Sequence, residues 1–274
     1  DGESQVVSTS IGEGAKSIEE LSRNMGGGTT SVAANYANQL YCANHIKRLA
    51  DKEVDFLGFS LIQGEQDAID ANASYTADLK QFVEEINRNF AAITGEATAG
   101  NPTNWRPMFT VQLGCDDYGS STTADVQEIA MAQLNAGYED RNIIVTCPTY
   151  WGAYHDEVHY TAATHRAIGE YTGKALRRFI ADGAFTPLRP LSITRTGAQI
   201  DIVLEGNVGQ VVLDTSTLTD PGDYGFRYTD DSSGAVVDSV AVVGSNTIRI
   251  TLDSDPGGAG GKLISYAMPA SVTS

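Results

Sequence analysis

The chain has 274 residues, 41% of them apolar, and carries 18 Lys plus Arg against 35 Asp plus Glu, a formal charge of −17. That length suits one large or two ordinary domains, and no apolar run reaches membrane-spanning length, so no membrane segment is expected. The acidic surface repels nucleic acid and anionic membranes, which excludes both as expected partners.

The first distinctive segment is Ile11-Gly12-Glu13-Gly14-Ala15-Lys16-Ser17-Ile18-Glu19-Glu20-Leu21. A glycine-flanked turn that opens a helix presents backbone N–H groups able to hold an anion or an oxyanion. The Gly-Lys-Ser/Thr ending of a P-loop is absent. A helix follows, with Tyr36, Leu40, Ala43, Ile46 and Ala50 at helical spacing. Then comes a nearly continuous apolar run, Phe56–Ile62, of the kind that suits a parallel strand covered on both faces. It ends in Gln63-Gly64-Glu65-Gln66-Asp67, where Asp67 or Asp70 is available to cap the next helix.

Tyr75, Leu79, Phe82, Val83 and Ile86 mark that helix, and Pro107–Leu113 is a second strand ending at Gly114-Cys115-Asp116-Asp117. Ile129, Ala132 and Ala136 mark another helix, and Asn142–Cys147 a third strand. The loop after it reads His155-Asp156-Glu157-Val158-His159-Tyr160-Thr161. It leads to a helix with Ile168, Tyr171, Ala175, Leu176 and Phe179 on one side. Strand and helix alternate as in an α/β domain with a parallel sheet, a three-layer α/β/α arrangement over residues 1–186. Chemistry in such sheets sits at the carboxyl ends of the strands.

The pattern changes near Pro187-Leu188-Arg189-Pro190. Short alternating runs follow, Ile200–Leu204, Gln210–Leu213, Val240–Val243 and Thr247–Leu252, separated by Gly, Asp, Ser and Asn turns. They predict a small all-β sandwich over residues 191–274 with no histidine, no cysteine and no catalysis.

An acid three residues before a histidine can orient its imidazole and fix its tautomer, so Asp156 and His159 are half of a nucleophilic hydrolase. The bland alternative is a loop acid and a histidine packed near a helix start, with Thr161 as N-cap. Cys42, Cys115 and Cys147 are odd in number and widely spaced, so neither a disulfide framework nor a zinc set is expected. The nearest partner of His159 is an acid, Asp156, and neither metal nor cofactor is expected.

The glycine turn, Gln63-Gly64-Glu65-Gln66-Asp67 and Asp156-x-x-His159-Tyr160-Thr161, in that order, resemble the SGNH-type hydrolases, nearest to the sialate O-acetylesterase-like carbohydrate esterases. The resemblance spans residues 1 to 183, with Arg166 and Gly169 on the last helix also matching. It implies His159 as general base and Asp156 as its partner. It implies Gly14 as an oxyanion donor, Gln63 in the position of an oxyanion-hole amide, and Glu65 as a brace. The implied activity is serine-dependent removal of O-acetyl groups from a glycan through an acyl-enzyme. The alternative is a non-catalytic glycan-binding or structural virion module on a degenerate esterase scaffold.

The family's nucleophile lies on a first strand well upstream of the glycine turn. Gly2-Glu3-Ser4 imitates it without a preceding apolar strand. The serine is therefore expected from a segment not in this chain, and the first strand is expected to be missing. Both ends, at Asp1 and at Met268–Ser274, read as cuts in a longer product. An esterase unit joined to a small β-domain is also similar to parts of phage tail proteins. The expected partners are then an acetylated polysaccharide, an N-terminal fragment or neighbouring virion chains, and further copies in a homo-oligomer, in an extracellular or virion-associated setting.

Overall fold

The computed structural model describes residues 6–10, 12–23, 34–50, 53–95, 106–115, 121–206, 209–216 and 219–267, apart from the side chain of Thr123. Ser4, Ile11, Asp116, Asp117 and the 268–274 segment lie outside the described residues. The chain divides into two compact units, Asp1–Arg177 and Arg178–Ser274.

The first unit is mixed α/β. Strands β1 (Phe59–Leu61), β2 (Met108–Gln112) and β3 (Ile143–Pro148) form a parallel sheet in the order β1-β2-β3. Met108, Phe109, Thr110 and Val111 are all buried, as are Ile143 through Cys147, so both faces of these two strands are covered. That is why their sequences read as apolar runs without alternation. Strand β1 is shorter than the run around it. Gly58 sits at φ +141°, and a Cβ there would stand 2.7 Å from the Pro107 carbonyl oxygen. Phe56 turns away to stack on Phe90, with ring centroids 4.0 Å apart.

The helices are α1 (Ile18–Leu21), α2 (Ala34–Leu49), α3 (Glu65–Ile69), α4 (Tyr75–Thr94), α5 (Thr123–Glu139) and α6 (Ala162–Asp182). Helix α4 buries Tyr75, Leu79, Phe82, Val83 and Ile86, the stripe read from the sequence, and ends at Gly95 in the left-handed region. Each such aliphatic side chain contributes roughly 1.5–3 kcal/mol by leaving water. Helix α5 starts at a capping box in which Asp125 N–H donates to Thr122 Oγ1 and Thr122 N–H donates to Asp125. The two devices fix where α4 stops and α5 begins.

The second unit is antiparallel. Strands β4 (Arg189–Thr196), β5 (Gln199–Glu205), β8 (Thr247–Leu252) and β7 (Val237–Val243) form one sheet in the order β4-β5-β8-β7. Strands β6 (Phe226–Thr229) and β9 (Leu263–Tyr266) form a separate pair. Ile200, Ile202 and Leu204 face the core with Ile248, Ile250 and Leu252, alternating with more exposed residues, and Phe226 and Tyr228 of β6 join the same cluster. Asp201 lies opposite Arg249 in the β5–β8 register and accepts two hydrogen bonds from its guanidinium, each 2.7 Å.

The strand expected at Gln210–Leu213 is not formed. Val211 is buried and its N–H donates to the Ser245 carbonyl at 2.8 Å, but Val212 is 71% exposed and no ladder continues. Its apolar pattern records the burial of a single side chain. Strand β4 was not legible, because it carries Pro190 at its second position and leaves Leu191 and Ile193 exposed.

Candidate active site

The glycine turn ends in helix α1, whose N-cap is Ser17. Glu20 N–H donates to Ser17 Oγ and Ser17 N–H donates to the Glu20 carboxylate, a closed capping box. Gly14 is exposed, and a Cβ built there would meet nothing within 4 Å. Ala15 holds φ +54°, unusual for a residue with a side chain, so this turn depends on outside support.

That support comes from the exit of β1. The Gln63 amide donates to the Lys16 carbonyl at 3.1 Å and to the Asp67 carboxylate, while its Oε1 accepts the Tyr75 hydroxyl at 2.8 Å. Both N–H bonds of the amide are therefore committed, and the side chain is buried. In this arrangement Gln63 is a brace between strand and turn, which differs from the free oxyanion donor its position implied. Gly64 follows at φ +146°, where a Cβ would come within 3.0 Å of Gln133 Nε2 and Ile129 Cγ2. Only glycine fits both the backbone angle and that space.

Asp67 caps neither α3 nor α4 through its side chain. It sits inside α3, whose N-cap is Gly64, and α4 follows its N-cap Ser74 without a side-chain cap bond. Its carboxylate instead accepts the Ile18 N–H at 2.8 Å and the Asn72 amide at 2.8 Å. Gln133, on α5, was not singled out by its sequence context. Its Nε2 donates to the Gln63 backbone carbonyl at 2.8 Å, and its Oε1 accepts the Leu113 N–H at 2.6 Å. Gln63 precedes the N-cap of α3, so helical i, i+4 spacing gave no signal for its contact with Asp67. For Gln133 the sequence carried none.

The loop after β3 is folded by one carboxylate. Asp156 Oδ1 accepts the N–H groups of Val158 at 3.0 Å and His159 at 2.8 Å, and Oδ2 lies 2.9 Å from His159 Nδ1. These backbone donors, followed by the imidazole, hold the Asp156 carboxyl well below the usual carboxylate range. The imidazole is mostly exposed. The loop base is fixed by His155 N–H to the His159 carbonyl at 2.6 Å and Thr161 N–H to the Ala153 carbonyl at 3.0 Å. Thr161 caps α6, accepting the Thr164 N–H at 3.3 Å. Beneath the loop, the Tyr160 hydroxyl donates to Thr149 Oγ1 at 3.0 Å, and Thr149 Oγ1 donates to the Gln112 carbonyl at 3.2 Å.

Glu65 is the first residue of α3, directly after Gly64. Burial pushes the Glu65 carboxyl above the ordinary range, and its own backbone N–H, then His159, partly offset that. Tyr154 and Tyr160 feel the Glu65 charge in turn. The structure thus brings Gln63, Asp67 and the Lys16–Ile18 turn into direct contact and sets Glu65 within electrostatic range of the His159 loop. Among the described residues, no serine hydroxyl is hydrogen-bonded to His159. No group of three or more His, Cys, Asp or Glu side chains is arranged to hold a metal among those residues. No helix among them is long and apolar enough to cross a membrane.

No family model matches the sequence, and no curated protein matches it. The fold is similar to the crystal structure of a carbohydrate acetylesterase from Xanthomonas citri, with a TM-score of 0.55 and 14% identity over 93% of this chain and 54% of that one. The chain thus spans about half the length of that protein. At this identity the likeness speaks to the fold alone, an esterase-like α/β arrangement with parallel strands β1 to β3.

Proposed function

We propose that the chain is a carbohydrate O-acetylesterase unit acting on an acetylated surface polysaccharide in an extracellular or virion-associated setting. The observation that carries this reading is the Asp156–His159 pair on the loop leaving β3, with His159 Nδ1 at 2.9 Å from the carboxylate. With Nδ1–H bonded to Asp156, Nε2 carries the lone pair a general base needs. His159 takes the proton of a serine hydroxyl, whose oxygen bonds to the acetyl carbon. The imidazolium then returns that proton to the departing sugar oxygen, and water hydrolyses the acyl-enzyme with His159 as base again. The serine comes from outside the described residues. The Gly14 N–H would stabilise the oxyanion, and Glu65 would shape the field around the imidazole. The likeness in fold to a carbohydrate acetylesterase supports an esterase reading in its coarse form.

A second reading is a glycan-binding module without turnover. It is favoured by the lack of any serine hydroxyl hydrogen-bonded to His159 among the described residues. Hydrolysis of p-nitrophenyl acetate and acetate release from an acetylated polysaccharide, both lost in His159→Ala, support the esterase. Polysaccharide retention with no acetate release from the unaltered chain supports the module.

A further inference from the structure

Asp67 is fully buried, yet it carries a carboxylate, and removing a charge from water is costly unless donors surround it. Three side-chain or backbone donors do so. Oδ2 accepts the Ile18 N–H at 2.8 Å and the Gln63 amide, and Oδ1 accepts the Asn72 amide at 2.8 Å. The Asn72 N–H also reaches the Asp67 backbone carbonyl at 3.0 Å, so the acid itself is held rigidly. Burial is the largest influence on its protonation, and these donors counter it.

The consequence falls on the glycine turn. The Lys16 carbonyl is gripped by Gln63 and the Ile18 N–H by Asp67, two anchors on either side of Ser17. Both lie just after Ala15, the strained residue at φ +54°, and Gly14 precedes it. Helix α1 has only four residues and cannot hold this geometry by its own hydrogen bonds.

We propose that Asp67 is a positioning residue for the esterase site: with Gln63 it locks the Gly12–Ile18 turn against the exit of β1 and so sets the direction of the Gly14 N–H. The catalytic part of this statement rests on the esterase reading, whereas the lock itself does not. Asp67 touches no reacting atom. It acts through the backbone of Ile18.

Two measurements on the full chain test it, with Asp67→Ala and the near-isosteric Asp67→Asn. In hydrogen–deuterium exchange, the peptide over Lys16–Leu21 is expected to exchange roughly 10- to 100-fold faster in Asp67→Ala. Exchange in β8 should stay unchanged. Asp67→Asn keeps one carbonyl oxygen for Ile18 and should restore part of the protection. In acetyl-ester hydrolysis, kcat is expected to fall roughly tenfold or more in Asp67→Ala with KM within about twofold, and to recover partly in Asp67→Asn. Unchanged exchange in the turn overturns the lock. Faster exchange with unaltered kcat, or a change in KM alone, overturns the positioning role. If neither variant folds, Asp67 is a folding residue and the assignment fails. If the unaltered chain hydrolyses no ester, the esterase reading fails, and exchange alone decides whether Asp67 holds the turn.

Discussion

Asp156 Oδ1 accepts the His159 backbone N–H at 2.8 Å while Oδ2 of the same carboxylate stands 2.9 Å from that residue's imidazole Nδ1. One side chain therefore fixes both the main chain and the ring of the candidate base. Asp156→Ala should lower acetyl-ester turnover on the order of 10²- to 10⁴-fold, the range of a general-base contribution, with the fold retained by circular dichroism. The carboxyl is held below its ordinary range, so its support is present above the unfolded value and is lost only as pH falls through the lower folded value. Over about pH 5 to 8 the His159 ring resonances should show no step from titration of Asp156.

Glu65 titrates in the opposite sense. Its folded carboxyl is raised by burial, so its contribution to stability is full below the ordinary glutamate value of about 4.3 and is lost as pH rises through the raised value. Glu65→Gln should therefore have a higher Tm than the unaltered chain at neutral pH. The gain should close as pH falls below about 4. A Tm difference that grows in acid would contradict the burial argument. If Glu65 also serves the base, the same variant loses turnover, the usual exchange between stability and activity.

Gly114, at the exit of β2, lies against the end of β3. A Cβ there would overlap the Tyr150 backbone nitrogen and stand 2.7 Å from its Cα. Neither atom belongs to a flexible side chain, so the strand exits must separate. Gly114→Ala is expected to cost about 1–3 kcal/mol in denaturant unfolding. Gly14→Ala, with open space around the added methyl, should leave the unfolding midpoint unchanged.

The thiols should divide by burial. Cys147 is buried in β3 and its thiol is pushed up to about 11, so little thiolate exists at mildly alkaline pH. Cys42 on α2 is only partly covered. Iodoacetamide at about pH 8 should modify Cys42 in the folded chain and leave Cys147 intact, as read by peptide mass spectrometry.

In the second unit, Ile250 is fully buried in β8 between β5 and β7. Ile250→Ala removes core volume that the neighbouring strands cannot refill and should cost about 2–5 kcal/mol in that unit's unfolding.

The parallel strands and α4 were legible because their sequences encode burial directly, in unbroken apolar runs and in the Tyr75–Ile86 stripe. Strand β4 was not, since its edge position leaves Leu191 and Ile193 exposed and erases the contrast that periodicity needs. Val211 shows the reverse, a buried residue whose surroundings imitate a strand without a partner. At the site, the Asp156–His159 contact followed from local spacing. The roles of Gln63, Asp67 and Gln133 did not, because they depend on Lys16, Ile18 and Leu113, residues brought near only by the fold.

Gln133 gives the molecule a gauge. Its one amide spans from the carbonyl at the tip of β1 to the N–H just past the tip of β2, where the ladder between them has already ended. The gap between those two tips is thus set by a helix side chain and not by the sheet. A substitution of Gln133 would release both tips at once, shifting the spacing of the two strand exits with no residue of either strand altered.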